Sequence, residues 1–351
     1  MYNITIGMDL GDKKHQIHVL DLAGETIKNC QISNTAKAIE DFFFHYPESQ
    51  VAIEASSHSP WISRLLERIV AKVLVGNPRK LRVIWDSDKK DDMRDAEMLA
   101  RIARFDAKLL YPINHRDKQT QADRSLLKAR DILVKTRTSL ILHVRGSVKS
   151  MGGRVATCSS VSFHMKATEY IPDVLKLSLM PILEQIEDIN NKIAAYDKTI
   201  KEISQTRYPA TEIVQQVNGV GPVTALAYVV TIGDPDRFRK SRDVGPYLGM
   251  TPRRDQSGDS DKQLRITKAG DRYLRRLLVQ SAHYILGAFG EESNLRRFGL
   301  KLAERGGKNA KRRAVVAVAR KLAVLLHRLW MTGEVYDPLY KPTKVMVQMA
   351  A

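Results

Sequence analysis

Cysteine is nearly absent from this 351-residue sequence. The only two cysteines, Cys30 and Cys158, lie far apart, so neither a disulfide scaffold nor a zinc site built from thiolates is expected. Free thiols are typical of proteins kept in a reducing compartment. We therefore expect a cytoplasmic protein.

Long apolar runs are missing as well. No uncharged apolar run approaches the roughly 18 residues needed to span a membrane. The first residues, 1–9, have the pattern of a strand and not that of a signal peptide. The sequence thus predicts a soluble protein without a membrane partner.

Acidic residues are scarce relative to basic ones. Asp and Glu together number 39 against 57 Lys and Arg, which gives a formal net charge of +18. Such a surface attracts polyanions, of which nucleic acid is the usual one, although an unrelated basic enzyme is the alternative. The hydrophobic fraction of 43% supports sizeable cores, and the length is sufficient for two domains.

The first part of the chain alternates between strand and helix patterns. Strand patterns occur at 3–9, 16–22, 26–32, 50–54 and 72–75, and helix patterns at about 36–46, 60–71 and 91–104. A strand hairpin followed by alternating strands and helices predicts a mixed sheet with helices on its faces. We predict an α/β domain over residues 1–115.

Helical patterns dominate the remainder. A basic helix is predicted at about 120–150, and a second helix at about 173–206 carries apolar residues in alternating steps of four and three. This heptad spacing predicts a coiled coil whose partner is either the first helix or another protomer, with an ordinary core helix as the alternative. We predict a helical coiled-coil region at 116–208, a mostly helical domain at 209–340 and a tail at 341–351.

Four carboxylates form a candidate metal site. Asp9 and Glu54 end two predicted strands, and strand ends are where sites form in α/β sheets. Asp92 and Asp95 lie three residues apart on one face of a predicted helix. Such hard oxygen ligands select Mg²⁺ or Mn²⁺, and two such ions promote phosphoryl transfer. Turn capping and a favourable helix dipole are the alternative explanations.

The C-terminal part contains two further motifs. Gly219 and Gly221 resemble the turn of a helix-hairpin-helix, whose backbone N–H groups grip a phosphate, with a plain turn as the alternative. Ser257 is predicted to lie in a loop between basic segments, where arginines would stabilise charge on an attacked phosphodiester, although a loop serine is more often a cap or turn residue. No Gly-x-Ser-x-Gly elbow or Ser/His/Asp arrangement accompanies this serine. The predicted phosphate contacts are Arg253, Arg254, Arg265, Lys268, Arg272, Arg275 and Arg276.

In this order, and over nearly the whole chain, the motifs resemble those of the DEDD-type transposases of insertion sequence family 110, relatives of the pilin-gene inversion recombinase. The resemblance is carried by Gly7–Asp9, Ile53–Ala55, Asn77–Lys80, Lys90–Ala96, Gly219–Gly221, Ser257–Gly258 and Ile266–Gly270. It implies a DNA recombinase whose N-terminal domain has the RuvC-like form of the ribonuclease H fold. A coiled coil would link that domain to the C-terminal domain.

The resemblance also implies roles for individual residues and partners. Asp9, Glu54, Asp92 and Asp95 would be catalytic and would hold the metal, and Ser257 would attack DNA to form a covalent phosphoserine intermediate. A structured bridge RNA would pair with donor and target DNA. Because recombination joins two duplexes, and because the heptad seam is long, we expect a dimer or tetramer.

Several alternatives remain open in the sequence. Asp91 stands where the family usually has Thr or Asn, so it is a possible substitute ligand, and Leu264 stands where Gly is frequent. Ser260 lies close to Ser257 and is an alternative nucleophile. A RuvC-type junction-resolving nuclease that uses water, or a non-catalytic nucleic-acid-binding protein, would share many of these features.

Overall fold

The chain folds into two compact units in a computed structural model that describes residues 2–81, 91–258, 260–307 and 309–340. The first unit comprises residues 1–117 and the second residues 118–351. Apart from residues 116 and 117, the predicted helical region at 116–208 falls in the second unit together with the predicted domain at 209–340. The predicted tail, 341–351, lies outside the described residues.

A five-stranded mixed sheet organises the first unit, as the strand pattern predicted. Its strands are β1 (Thr5–Leu10), β2 (Lys14–Leu20), β3 (Thr26–Ser33), β4 (Gln50–Glu54) and β5 (Lys72–Gly76). The order across the sheet is β3-β2-β1-β4-β5. The first three strands pair antiparallel, whereas β4 pairs parallel with both β1 and β5. The two strands that carry Asp9 and Glu54 are therefore neighbours.

Helices cover both faces of this sheet. They are α1 (Ala36–Phe43), α2 (Ser59–Leu66) and α3 (Asp92–Asp106). One core joins α1 and α2 to strand residues such as Ile6, Met8 and Ile53. A second core joins α3 to Ala52 and Leu74, which alternate with the first set along the strands. The sheet therefore has one face towards α1 and α2 and the opposite face towards α3.

Two long helices form an antiparallel pair at the start of the second unit. They are α4 (Lys118–Ser150) and α6 (Asp173–Arg207), with the short helix α5 (Phe163–Thr168) in their connection. Leu127 of α4 shares a core with Ile200 and Ile203 of α6. At the opposite end, Val144 of α4 shares a core with Leu183 of α6. The heptad seam of α6 therefore packs against the first helix of the same chain and does not require another protomer.

A buried charge in this seam is expected to destabilise the second unit strongly. Ile189 of α6 is 3% exposed, so Ile189→Asp would bury a carboxylate away from water. We expect a loss of about 3 kcal/mol or more in the free energy of unfolding. Urea denaturation followed by circular dichroism measures this change. The matched control is Leu177→Asp on the same helix, since Leu177 is 93% exposed. Equal effects of the two substitutions would contradict this packing.

The rest of the second unit is mostly helical, in agreement with the sequence. Its helices are α7 (Ala210–Gln215), α8 (Pro222–Ile232), α9 (Val244–Tyr247), α10 (Arg272–Leu286), α11 (Asn294–Ala303) and α12 (Ala310–Thr332). A hairpin of β6 (Pro252–Ser257) and β7 (Ser260–Ile266) precedes α10. Helix α8 lies in the core, where the hydroxyl of fully buried Tyr228 donates to the carbonyl oxygen of Ala323 at 2.7 Å.

No helix in the described part of the chain combines the length and the apolar character that a bilayer crossing requires.

Candidate active site

Asp9 and Glu54 lie at the carboxyl ends of adjacent parallel strands. Met8 and Ile53, one position earlier on each strand, are paired in register. Because side chains alternate along a strand, Asp9 shares a face with Gly7 and Glu54 shares a face with Ala52. Both carboxylates therefore belong to the sheet face that α3 covers, and both side chains are half-buried.

Helix α3 runs antiparallel to these two strands. Near the start of β4, the Gln50 side chain donates from Nε2 to the carbonyl oxygen of Ala103 at 3.0 Å. In the middle of β1, Gly7 lies directly against an earlier turn of the helix. A Cβ atom at Gly7 would lie 1.9 Å from the carbonyl oxygen of Ala96. Only glycine permits this close approach of helix and strand.

The antiparallel direction brings the first turn of α3 towards the strand ends. Asp92 and Asp95 belong to this turn, with Asp95 half-buried and Asp92 exposed. The topology therefore directs all four predicted carboxylates, Asp9, Glu54, Asp92 and Asp95, to one edge of the sheet. The helix dipole also favours negative charge at this end of α3.

Asp91 has a structural role at the start of α3. It is the N-cap residue, and its carboxylate Oδ1 accepts a hydrogen bond from the backbone N–H of Met93 at 3.1 Å. Thr, Asn and Asp are all favoured at N-caps because each offers a side-chain oxygen to the first turn. The departure at this position from the usual Thr or Asn therefore retains the cap, which engages one of the two carboxylate oxygens of Asp91.

The donor chemistry of the edge suits a hard divalent cation, since carboxylate oxygens are the ligands that Mg²⁺ and Mn²⁺ prefer. Among the described residues, however, no three His, Cys, Asp or Glu side chains are gathered closely enough to hold a metal ion. The backbone thus brings suitable residue types to one edge, whereas their side chains do not form a finished ligand shell. Binding would require these side chains to turn towards a common point.

Two histidine contacts stabilise the loops that follow the acidic strand ends. His58 Nε2 lies 3.3 Å from Asp12 Oδ1, which links the start of α2 to the turn after β1. His115 Nε2 lies 2.9 Å from Ser59 Oγ. Burial, followed by the nearby charge of Arg64, lowers the pKa of His115, so its imidazole is neutral at neutral pH. Sequence reasoning missed these contacts because the partners are distant in the chain and form no recognisable motif.

Ser257 occupies a strand end, which corrects the predicted loop. It is the last residue of β6 and pairs directly with Ser260, the first residue of β7. Gly258 begins the connecting turn with φ +55°, a backbone conformation that favours glycine. Ser257 and Ser260 are both exposed and share one face of the hairpin tip.

The hairpin register also changes the expected surroundings of the serine. Asp255 pairs with Lys262, two positions from the Ser257 pair, so both side chains share its face. Arg254 alternates to the opposite face, together with Gln256 and its partner Asp261.

The predicted phosphate contacts divide into two groups. Arg275 donates to the carbonyl oxygens of Leu248 at 2.8 Å and Ala269 at 2.7 Å, and so connects two loops. Arg276 forms an ion pair with Asp131 and lies over the ring of Tyr273. Both arginines therefore serve internal contacts, unlike the exposed cations. Those exposed cations are Arg253, Arg254, Arg265, Lys268 and Arg272.

The predicted glycine turn joins α7 to α8. Gly219 has φ +90° and lies against Tyr284, which a Cβ atom would approach to 3.0 Å. Gly221 is the N-cap residue of α8, and a Cβ atom there would meet no other atom within 4 Å. The open backbone at Gly221 leaves room for a ligand, whereas Gly219 is required for turn and packing.

Two known families match separate parts of the chain. Residues 6–151 match a DEDD family of IS110 type described as "Transposase". Residues 211–298 match the family described as "Transposase IS116/IS110/IS902 family". The first match includes the four carboxylates, and the second includes Gly219, Gly221 and the hairpin with Ser257.

Several curated proteins are similar over most of their length. A probable family 20 transposase of Pseudomonas aeruginosa is 28% identical over 343 residues, which cover 95% of this chain and 98% of that protein. The transposase for insertion sequence element IS1111A of Coxiella burnetii is 29% identical, covering 70% of this chain and 68% of that protein. The pilin gene-inverting protein of Moraxella bovis is 23% identical, covering 96% and 98%.

Proposed function

Because the chain carries both transposase domains of the IS116/IS110/IS902 family, we propose that it is the recombinase of a mobile element and exchanges DNA strands through a metal-dependent reaction with a covalent serine–DNA intermediate. One observation carries this proposal. Two parallel strands and one antiparallel helix direct four carboxylates to the same edge of the sheet.

The first unit supplies the metal chemistry in this proposal. Asp9 and Glu54 would hold the ion from the strands, and Asp92 and Asp95 from the helix. A divalent ion bound there would stabilise negative charge on a bound phosphodiester. The sheet order, with acidic residues on its two central parallel strands, supports a RuvC-like ribonuclease H fold. Mg²⁺ or Mn²⁺ is the ion that these oxygen ligands favour.

The second unit supplies the nucleophile. Ser257 Oγ would lose its proton and attack phosphorus, and the bond from phosphorus to one deoxyribose oxygen would break as that oxygen gains a proton. A phosphoserine ester conserves the phosphodiester, so a free DNA hydroxyl can later displace the serine without an external nucleotide. The exposed position of Ser257 at the hairpin tip leaves its hydroxyl accessible to DNA.

Nucleic-acid binding is proposed for the exposed cations around the hairpin, which are Arg253, Arg254, Arg265, Lys268 and Arg272, and for the open backbone at Gly221. Cations of this kind grip phosphates without reading sequence. A structured guide RNA and a dimer or tetramer are further parts of the proposal. The oligomer rests on the need to join two DNA duplexes. The guide RNA rests on the family resemblance, because arginines of α4 bond inside the chain, such as Arg130 with Asp197 and Arg137 with Asn190.

A reconstituted exchange reaction tests this function. Purified protein is incubated with donor and target plasmids, with or without Mg²⁺, and with or without RNA transcribed from the DNA that flanks the gene. We expect recombinant junctions only in the complete mixture. Junctions formed without RNA would contradict the role of the guide RNA but not the recombinase function. Cleavage without a protein–DNA bond would favour the RuvC-type nuclease, and DNA binding without any product would favour a non-catalytic binding protein.

A further inference from the structure

We propose that Asp255 is the general base that activates Ser257, and that Lys262 positions the Asp255 carboxylate. This inference rests on the proposed role of Ser257 as nucleophile. It concerns a part of the reaction that the family motifs do not explain, since Ser257-Gly258 provides a hydroxyl without a group to remove its proton.

The register fixes which side chains accompany the serine. Ser257 pairs with Ser260, and Asp255 pairs with Lys262, across regular antiparallel strands. Side chains two positions apart on a strand lie on the same face, with their α-carbons roughly 6.5 Å apart. A carboxylate and a hydroxyl at that spacing can meet directly or through one water molecule, which is the reach required of a general base.

The other charged groups of the hairpin are less suitable. Asp261 pairs with Gln256 and therefore points to the face opposite Ser257. Arg254 shares that opposite face and has no proton to accept. Among the described residues of β6 and β7, Asp255 is the carboxylate on the face of the serine. It is also exposed, so approaching DNA can meet serine and carboxylate together.

The proposed chemistry is reversible and balanced. During cleavage, Asp255 accepts the Ser257 hydroxyl proton while Oγ forms a bond to phosphorus. The bond from phosphorus to the deoxyribose oxygen breaks, and that oxygen takes a proton from solvent. During rejoining, a DNA hydroxyl attacks the phosphoserine, its proton passes to solvent, and protonated Asp255 returns its proton to the departing Oγ. One residue thus acts as base in the first step and as acid in the second.

Lys262 has a positioning role in this arrangement. Directly opposed residues on antiparallel strands have Cβ atoms roughly 5 Å apart, and opposite charges at such positions attract. The two side chains are not joined by an ion pair in this structure, but their register would let the ammonium group of Lys262 reach the Asp255 carboxylate and hold it near the turn. It would also offset the repulsion between that carboxylate and a DNA phosphate, which a lone aspartate would suffer.

The test measures formation of the protein–DNA adduct on a nicked suicide substrate. We expect Asp255→Ala to slow adduct formation roughly 100-fold or more, as is usual when a general base is removed. Added formate, a small carboxylate, should restore part of the rate in Asp255→Ala. The matched control is Asp261→Ala, which removes the same group from the opposite face and should neither slow the reaction nor respond to formate. Both variants should retain DNA binding.

The outcomes separate this inference from the function on which it rests. If Ser257→Ala still forms the adduct, the serine mechanism itself fails. If Ser257→Ala abolishes the adduct but Asp255→Ala behaves like Asp261→Ala, only the assignment of the base fails. A slow Asp255→Ala variant without formate rescue would also overturn the assignment, because a merely structural aspartate gives that result. Lys262→Gln should slow the reaction without creating formate rescue.

Discussion

Ser257→Ala is expected to eliminate the covalent protein–DNA adduct and to reduce strand exchange on the order of a thousandfold or more, because no other atom of that side chain can form the phosphoester. DNA binding should persist, since the substitution removes one exposed hydroxyl from a hairpin tip and no core contact. The adduct is measured as protein that remains attached to labelled DNA under denaturing conditions. Peptide mapping then identifies the modified residue.

The neighbouring serine provides the control for this experiment. Ser260 lies directly opposite Ser257 on the same face, so it is the nearest competing hydroxyl. Ser260→Ala should retain the adduct at Ser257. If the mapped bond is at Ser260, or if cleavage continues in Ser257→Ala without any adduct, the serine assignment is wrong.

The second large effect is expected at the carboxylate edge. Asp95→Asn removes a charge from the face of α3 that contacts the sheet, and Glu54→Gln removes one from the adjoining strand end. A catalytic ion contributes several kcal/mol to phosphoryl transfer, so either change should lower Mg²⁺-dependent cleavage roughly a thousandfold. Cleavage of a labelled substrate across a range of Mg²⁺ concentrations measures the loss.

Asp91→Asn is the matched control for these substitutions. Asparagine caps a helix about as well as aspartate, so this change removes a neighbouring carboxylate while the first turn of α3 remains capped. We expect near-normal cleavage. A defect as large as that of Asp95→Asn would show that Asp91 takes part in metal binding, and normal cleavage in both variants would remove the metal role from this edge.

Much of the first unit could be predicted from the sequence because its signals are local. The strand patterns that end at Asp9 and Glu54 are continuous and apolar, and the helix that begins near Asp92 has a clear start. The close contact between Gly7 and α3 could not be predicted in this way. It depends on a pairing between residues about ninety positions apart, for which the sequence pattern carries no signal.

The heptad of α6 shows a different limit. Its periodicity correctly indicated an apolar seam, but the same pattern serves a helix of the same chain or one from a second copy. Contacts such as Leu127 with Ile200 distinguish the two cases, and they depend on the length and direction of the connecting segment. The prediction of a dimer or tetramer consequently loses the support of this seam and rests on the recombination chemistry alone.

The surroundings of Ser257 were predicted least well. The density of arginines near it in sequence suggested that they also surround it in space, but alternation moves Arg254 to the other face. Arg275 and Arg276 satisfy backbone carbonyls and Asp131, since a partly buried guanidinium is costly to leave without partners. Composition therefore predicted the charge of the region but not the use of each cation.

Because side chains alternate between the two faces of the hairpin strands, insertions of one residue and of two residues have different effects here. A single residue inserted between Pro252 and Ser257, with the turn kept in place, leaves the tip intact but reverses the faces of every position before the insertion. A pair of inserted residues restores them. The register shift already present between Pro252 and Arg254 shows that one such offset is accommodated at the base of the hairpin. In related recombinases, the length of this strand should accordingly differ by two residues at a time, or a compensating β-bulge should accompany a change of one residue.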